Sequence, residues 1–210
     1  MAIIEFRNVS KKYLMGEVTI NALHDASFTI NKGELVCILG PSGAGKTTCL
    51  NILGGMDSPT FGDVIVDGVN ISSLKGKNII KYRRKDIGFV FQFYNLVSNL
   101  TAIENVELAV QLTKDHLEPK EALKLVGLEN RLNNFPSQLS GGEQQRVAVA
   151  RAIAKHPKVL LCDEPTGALD YKTGKQILAL LQDCARKNNM TVVIVTHNLS
   201  LIHISEPTRP

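Results

Sequence analysis

Residues 35–53 read Leu35-Val36-Cys37-Ile38-Leu39-Gly40-Pro41-Ser42-Gly43-Ala44-Gly45-Lys46-Thr47-Thr48-Cys49-Leu50-Asn51-Ile52-Leu53. The apolar run Leu35 to Leu39 reads as a buried strand, and a helical pattern runs from Thr47 to Leu53. The loop between them fits G-x-x-x-x-G-K-[ST], and the strand–loop–helix setting is what gives that match meaning. Glycines let the backbone curl so that N–H groups point inward at phosphate oxygens, and the helix start adds the positive end of its dipole. The loop Gly40, Pro41, Ser42, Gly43, Ala44, Gly45 and Thr48 would wrap the phosphates. Lys46 has the reach for the β- and γ-phosphates, and the Thr47 hydroxyl can hold Mg2+. The stretch predicts a nucleoside triphosphate site.

Working outward, the 210 residues suffice for one large domain or two small ones with a real core. A hydrophobic content of 44% with 21% charged residues is ordinary for a globular protein. No apolar run approaches the roughly 18 residues of a membrane span. The start MAIIEFRNVS lacks the charged leader, apolar core and cleavage site of a secretory signal. A membrane role would therefore come through a partner. The net charge of +4 does not argue for nucleic acid. The densest basic cluster, Lys75, Lys77, Lys81, Arg83, Arg84 and Lys85, reads as a solvated face rather than a phosphate patch. Cys37, Cys49, Cys162 and Cys184 show no metal-ligand spacing, and those in strand-like runs behave as small hydrophobes compatible with a reducing cytoplasm.

Upstream of the loop, residues 2–9 and 17–30 alternate in short apolar stretches, as antiparallel strands do. Tyr13 stands between them, either packing a strand end or stacking on a nucleobase. Downstream, Gly54-Gly55 stops the helix, and Asp67-Gly68 between Val64-Ile65-Val66 and Val69-Asn70-Ile71 signals a hairpin. Ile87 to Phe91 reads as a buried strand ending at Gln92, where α/β sheets place their ligands. From about Asn95 the pattern turns helical. Thr101 and Glu104 form a capping box ahead of an apolar-periodic helix from Val106 to Leu112, and Pro119 opens a second helix that stops near Gly127. Ser140 and Glu143 form another capping box, leading into a helix that ends before Pro157. The apolar strand Val159 to Cys162 then delivers Asp163-Glu164. A helix from about Thr173 to Lys187 and a strand from Thr191 to Thr196, ending at His197, complete the pattern. The order implies an α/β fold: a P-loop NTPase core of mostly parallel sheet with flanking helices, an antiparallel β subdomain, and a helical subdomain inserted at about 95–145.

Taken together, the motifs resemble the ATP-binding cassette of ABC transporters. Leu139-Ser140-Gly141-Gly142-Glu143-Gln144-Gln145-Arg146 is similar to that family's signature helix. It occurs in family order with the phosphate loop, Gln92, Asp163-Glu164-Pro165-Thr166, Ala168-Leu169-Asp170 and Thr196-His197, so that 1–198 is expected to be one such domain. The resemblance implies ATP and Mg2+ as ligands. Asp163 would hold the metal, with Thr47 and Gln92 beside it. Glu164 would be the general base, and His197 would bond the γ-phosphate. An adjacent carboxylate pair at the end of a buried strand is rarely structural, because the two charges repel and lose hydration.

Capping accounts for Ser140 and Glu143 but not for Gly141-Gly142, since glycine weakens a first turn. A bare helix tip offered to phosphate does account for them. In the family that phosphate belongs to ATP on a second subunit, so two cassettes would sandwich two nucleotides, with Asp170 at the same interface. Glu143 stands where glutamine is commoner, and Cys162 where a small residue is.

The stretches Phe91 to Leu96 and Leu100 to Val106 look most like cassettes of the lipoprotein-release and macrolide or antimicrobial-peptide export group. Their usual partner is a four-span (FtsX-like) permease, which would hold the chain at the cytoplasmic face of the membrane. The expected activity is therefore ATP hydrolysis driving an exporter. The alternatives are a cell-division cassette that transmits force without transport and a non-transport ATPase acting on nucleic acid. The second usually carries a coiled-coil insertion or a second cassette, neither of which is present, so nucleic acid is not expected as a partner. Leu199 to Pro210 departs from the family and closely resembles the translated read-through of a sequencing adapter. That tail is expected to be non-native and is set aside from the fold.

Overall fold

In the strand Val159–Asp163 the first four residues are all buried, and in Thr191–Thr196 all six are. Successive side chains of a strand point to opposite faces, so both faces of these strands are covered, as a parallel sheet with layers on both sides requires. The computed structural model describes residues 1–111, 113 and 115–197. Its strands are β1 (Ala2–Met15), β2 (Val18–Asn31), β3 (Leu35–Leu39), β4 (Phe61–Val66), β5 (Val69–Asn70), β6 (Ile87–Val90), β7 (Val159–Asp163) and β8 (Thr191–Thr196). Its helices are α1 (Lys46–Leu53), α2 (Lys77–Lys85), α3 (Ala102–Val110), α4 (Pro119–Leu125), α5 (Gly141–Ile153) and α6 (Tyr171–Asn188).

Among the described residues the strands form an antiparallel sheet of order β2-β1-β4-β5 and a parallel sheet of order β3-β8-β7-β6. Alternation sorts the parallel sheet between two cores. Val159, Leu161, Val193 and Val195 pack with α1 and the antiparallel sheet. Leu160, Cys162, Val192 and Ile194 pack with α3, α4, α5 and α6. The α/β architecture follows the sequence pattern.

Three local differences have physical causes. β1 runs unbroken to Met15, so Tyr13 lies inside the strand, paired with Ile20 of β2, and not between two strands. Ile71 leaves the hairpin for a 3₁₀ turn, Ile71–Ser73, because the Asn70 side chain accepts from the Ser72 N–H and caps it. The first middle helix begins at Ala102, directly behind its Thr101–Glu104 capping box, and ends at Val110. Leu112, the expected last residue, lies outside the described residues, as do Asn198 and the tail Leu199 to Pro210. The expected end of the helical segment near 145 falls inside α5, which is continuous through that point.

The basic cluster is mostly a helix, α2, which charge alone did not announce. Its exposed Lys81, Arg83, Arg84 and Lys85 surround one buried anchor, Tyr82, whose hydroxyl donates to the Leu53 carbonyl at 2.7 Å. Three of these cations sit in the last turn, where they complement the negative end of the helix dipole. Asn105 plays the corresponding role in the middle of the chain. Fully buried on α3, its amide donates to the carbonyls of Val97, Leu100 and Thr101 and accepts from the Val97 N–H, pinning the loop that follows Gln92. No helix among the described residues is long and apolar enough to cross a membrane. Tyr82→Phe should lower unfolding free energy by about 1–2 kcal/mol, because it leaves the buried Leu53 carbonyl unpaired. An unchanged urea midpoint would show that α2 is held by other contacts.

Candidate active site

The phosphate loop leaves β3 and enters α1 through Gly43 and Gly45, both in the left-handed region at φ 81° and 80°. At Gly45 glycine is required twice over: besides the backbone angle, a Cβ there would lie 2.1 Å from the Ala22 carbonyl oxygen. This close approach seats β2 against the loop. The Lys46 ammonium folds back over the curl, donating to the carbonyls of Gly40 (2.8 Å) and Pro41 (2.9 Å). A cleft of about 450 Å3 opens here. The loop lines it through Ser42, Gly43, Gly45, Lys46, Thr47 and Thr48. Ile20, Asn21 and Ala22 of β2 form one wall, and Gln92, Asp163, Glu164 and His197 another.

The carboxyl ends of the parallel strands deliver that last group. Asp163 ends β7 and is half-buried, and burial pushes its carboxyl up, with the Glu164 charge adding to the effect while Thr47 and Lys46 oppose it. The Thr47 hydroxyl donates to Asp163 Oδ1 at 3.4 Å, so two oxygen donors from different elements converge. Among the described residues no group of three or more His, Cys, Asp or Glu makes a ready metal centre. The hydroxyl and carboxylate are the hard oxygen donors that suit Mg2+, a cation that fills its remaining positions with water and substrate phosphate.

Glu164 stands in the left-handed region, φ 47°, with its side chain mostly enclosed. Its carboxylate accepts from the Thr196 hydroxyl (2.8 Å) and the His197 N–H (2.9 Å), and it contacts His197 Nδ1 at 2.7 Å. Gln92 follows β6, and its amide lies against Gly167, where a Cβ would come within 3.0 Å of Nε2.

Several expected site residues lie elsewhere. Tyr13 is not a wall of the cleft. Its hydroxyl donates to Asp57 at 2.7 Å, and Lys11 lies 4.9 Å from its ring centre while also bonding Asp57. Burial, then the Asp57 bond, holds the Tyr13 phenol above its ordinary value. Ser140, Gly141, Gly142, Glu143 and Asp170 also stand outside the cleft. Ser140 and Glu143 form the expected reciprocal cap, and the two hydrogen bonds from Ser140 hold the Glu143 carboxyl below the usual range, with Arg131 assisting. Asp170 caps α6, accepting from the Thr173 N–H (3.0 Å) and hydroxyl (2.6 Å).

The two glycines of the α5 tip have a reason that the sequence did not disclose. A Cβ on Gly142 would meet Thr173 Cγ2 at 2.4 Å, and one on Gly141 would meet the Tyr94 hydroxyl at 2.8 Å. Close packing inside the chain favours glycine at 142, against a Thr173 held by Asp170, and crowds position 141, whatever ligand the tip faces. Two further residues were missed. Arg151 donates from its guanidinium to the carbonyls of Tyr94 and Asn95, consecutive residues at φ 59° and 49°. It clamps the segment after Gln92 to α5. Gln145, fully buried, donates to the Pro165 carbonyl at 2.9 Å. The available signal was helical spacing: Gln145 shares the buried face of Ala148, Val149 and Ala152.

Comparison with known proteins shows the family. The family model described as ABC transporter matches residues 23–167. An uncharacterized ABC transporter ATP-binding protein of Methanocaldococcus jannaschii, MJ0796, is 47% identical over 212 residues, spanning 97% of this chain and 90% of its own. A methionine import ATP-binding protein, MetN, of Helicobacter hepaticus is 46% identical over 204 residues, spanning 95% of this chain and 57% of its own. A solved structure of MJ0796, a dimeric post-hydrolysis state bound to ADP and Pi, superposes with a TM-score of 0.87 at 44% identity, covering 96% of this chain and 90% of that one.

Gly142→Ala should cost about 1–3 kcal/mol of stability, as overpacking does. Thr173→Ser removes Cγ2 but keeps the hydroxyl on Asp170, and in the double variant it should restore most of the loss. A Gly142→Ala melt indistinguishable from wild type would refute the packing role.

Proposed function

The chain belongs to the ATP-binding cassettes of ABC transporters, ATP-hydrolysing enzymes, and from that premise we propose that two copies close around two ATP molecules to drive a membrane permease. The observation that carries this reading is a division of parts. The loop, Asp163, Glu164, Gln92 and His197 share one cleft, whereas the α5 tip and Asp170 stand outside it. A helix start with unpaired N–H groups is a phosphate site in waiting, and a second copy brings such a tip to the open side of the cleft. That MJ0796 forms a dimer bound to ADP and Pi supports pairing of two copies.

In this reading Lys46 and the loop N–H groups hold the triphosphate, and the base reaches past Ile20, beyond the cleft wall, to stack on its cross-strand neighbour Tyr13. Thr47 and Asp163, with Gln92 beside them, would hold Mg2+, which neutralises charge on the phosphates when bound. Glu164 orients the attacking water and takes its proton. Its carboxylate is engaged by Thr196 and His197. When His197 turns to bond the γ-phosphate, its ring leaves Glu164 Oε1, which keeps the His197 N–H and gains a position for the water. Nucleotide arrival and base activation are thus one exchange of partners.

The permease would be of the four-span, FtsX-like type, seated on the segment after Gln92 where Phe93 is largely exposed. The stretch from Phe91 to Leu96 supports an exporter of peptide, lipoprotein or macrolide type, working at the cytoplasmic face of the membrane. Glu164→Gln should keep ATP affinity within about twofold and lower turnover by 100-fold or more, roughly the worth of a positioned base. Lys46→Ala should instead raise the dissociation constant for ATP, read by fluorescent-nucleotide titration. Near-wild-type phosphate release from Glu164→Gln would refute its role as base.

A further inference from the structure

Gln145 is fully enclosed, yet among the described residues its amide makes one hydrogen bond, Nε2 to the Pro165 carbonyl at 2.9 Å, and Oε1 has no partner. Burying an amide with an empty acceptor is unfavourable. A methionine would fill nearly the same volume without that cost. What the amide contributes in return is therefore the bond to Pro165. Pro165 follows Glu164, whose backbone holds the left-handed conformation. The Glu164 N–H donates to the Val195 carbonyl and its own carbonyl accepts from the Gly167 N–H, both at 2.9 Å. The turn is thus tied to the sheet and to itself, and the Gln145 bond ties it to α5.

One end of α5 is the Ser140–Gly142 tip, and four residues on stands the side chain that grips the turn carrying Glu164. We propose that Gln145 is a positioning residue that couples the two nucleotide sites of the dimer. When the tip engages the partner's nucleotide, α5 shifts, and the Gln145–Pro165 bond passes that shift to Glu164 of the same chain. Each base is then set by the occupancy of the opposite site. The proposal rests on the reading above, in which the tip meets the second copy's phosphate and Glu164 is the base.

Steady-state ATPase assays on the purified cassette test it with two variants. Gln145→Met keeps the volume and loses the donor. Its kcat should fall about tenfold with KM for ATP within about twofold, the pattern of an interaction that acts in the transition state. Its Hill coefficient should drop toward about 1, as loss of coupling requires. Gln145→Glu carries a switchable donor: the protonated carboxyl can donate to the Pro165 carbonyl and the carboxylate cannot, and burial favours the protonated form. Its kcat relative to wild type should rise as pH falls, while that of Gln145→Met stays flat. Wild-type kcat and Hill coefficient in Gln145→Met would overturn the proposal. If that variant does not fold, a flat pH ratio for Gln145→Glu overturns it instead. The base assignment fails separately, through retained turnover in Glu164→Gln.

Discussion

Strand β7 is walled in on both faces and hydrogen-bonded along both edges, to β6 and β8. Nothing charged fits along its first four residues, so they are Val159, Leu160, Leu161 and Cys162, all fully buried. Charge can appear only where the strand runs out, and Asp163 and Glu164 stand there. The same constraint places Gln92 beyond β6, Thr196 and His197 at the end of β8, and the phosphate loop beyond β3. The cleft is thus the common exit of four parallel strands, and its chemistry is the polar remainder of a sheet that is apolar elsewhere.

A second constraint is how closely backbones approach. Gly45 lets β2 sit against the phosphate loop, and Gly142 lets α5 sit against α6. Both contacts leave no room for a Cβ, so the antiparallel sheet and the helical layer are each keyed to the core beside a functional segment. Arg151 adds a clamp on the backbone after Gln92.

Much of this was legible in the residues. The loop, the two capping boxes, the Asp67-Gly68 turn and the Asp163-Glu164 pair are local signals, each fixed by a few neighbours in the chain, and the structure places them as read. What escaped was non-local. The α2 helix is hidden because its apolar face is only Ile79 and Tyr82, a short pair among cations. The course of β1 through Tyr13 is a nearer matter, resting on pairing with Ile20 across the turn that follows Met15. The packing of the glycine pair in α5 escaped because Thr173 and Tyr94, which crowd it, lie far off in sequence. Gln145 was read only as part of the run Leu139 to Arg146, although its spacing from Val149 and Ala152 placed it on the buried face.

The central claim is that the nucleotide is gripped by one copy and sealed by the helix tip of another. Light scattering of Glu164→Gln across a titration with ATP measures this most directly. A monomer without nucleotide and a dimer at saturating ATP are expected, with Ser140→Arg at the tip abolishing the dimer while ATP still binds. A Glu164→Gln protein that binds ATP and stays monomeric would contradict it.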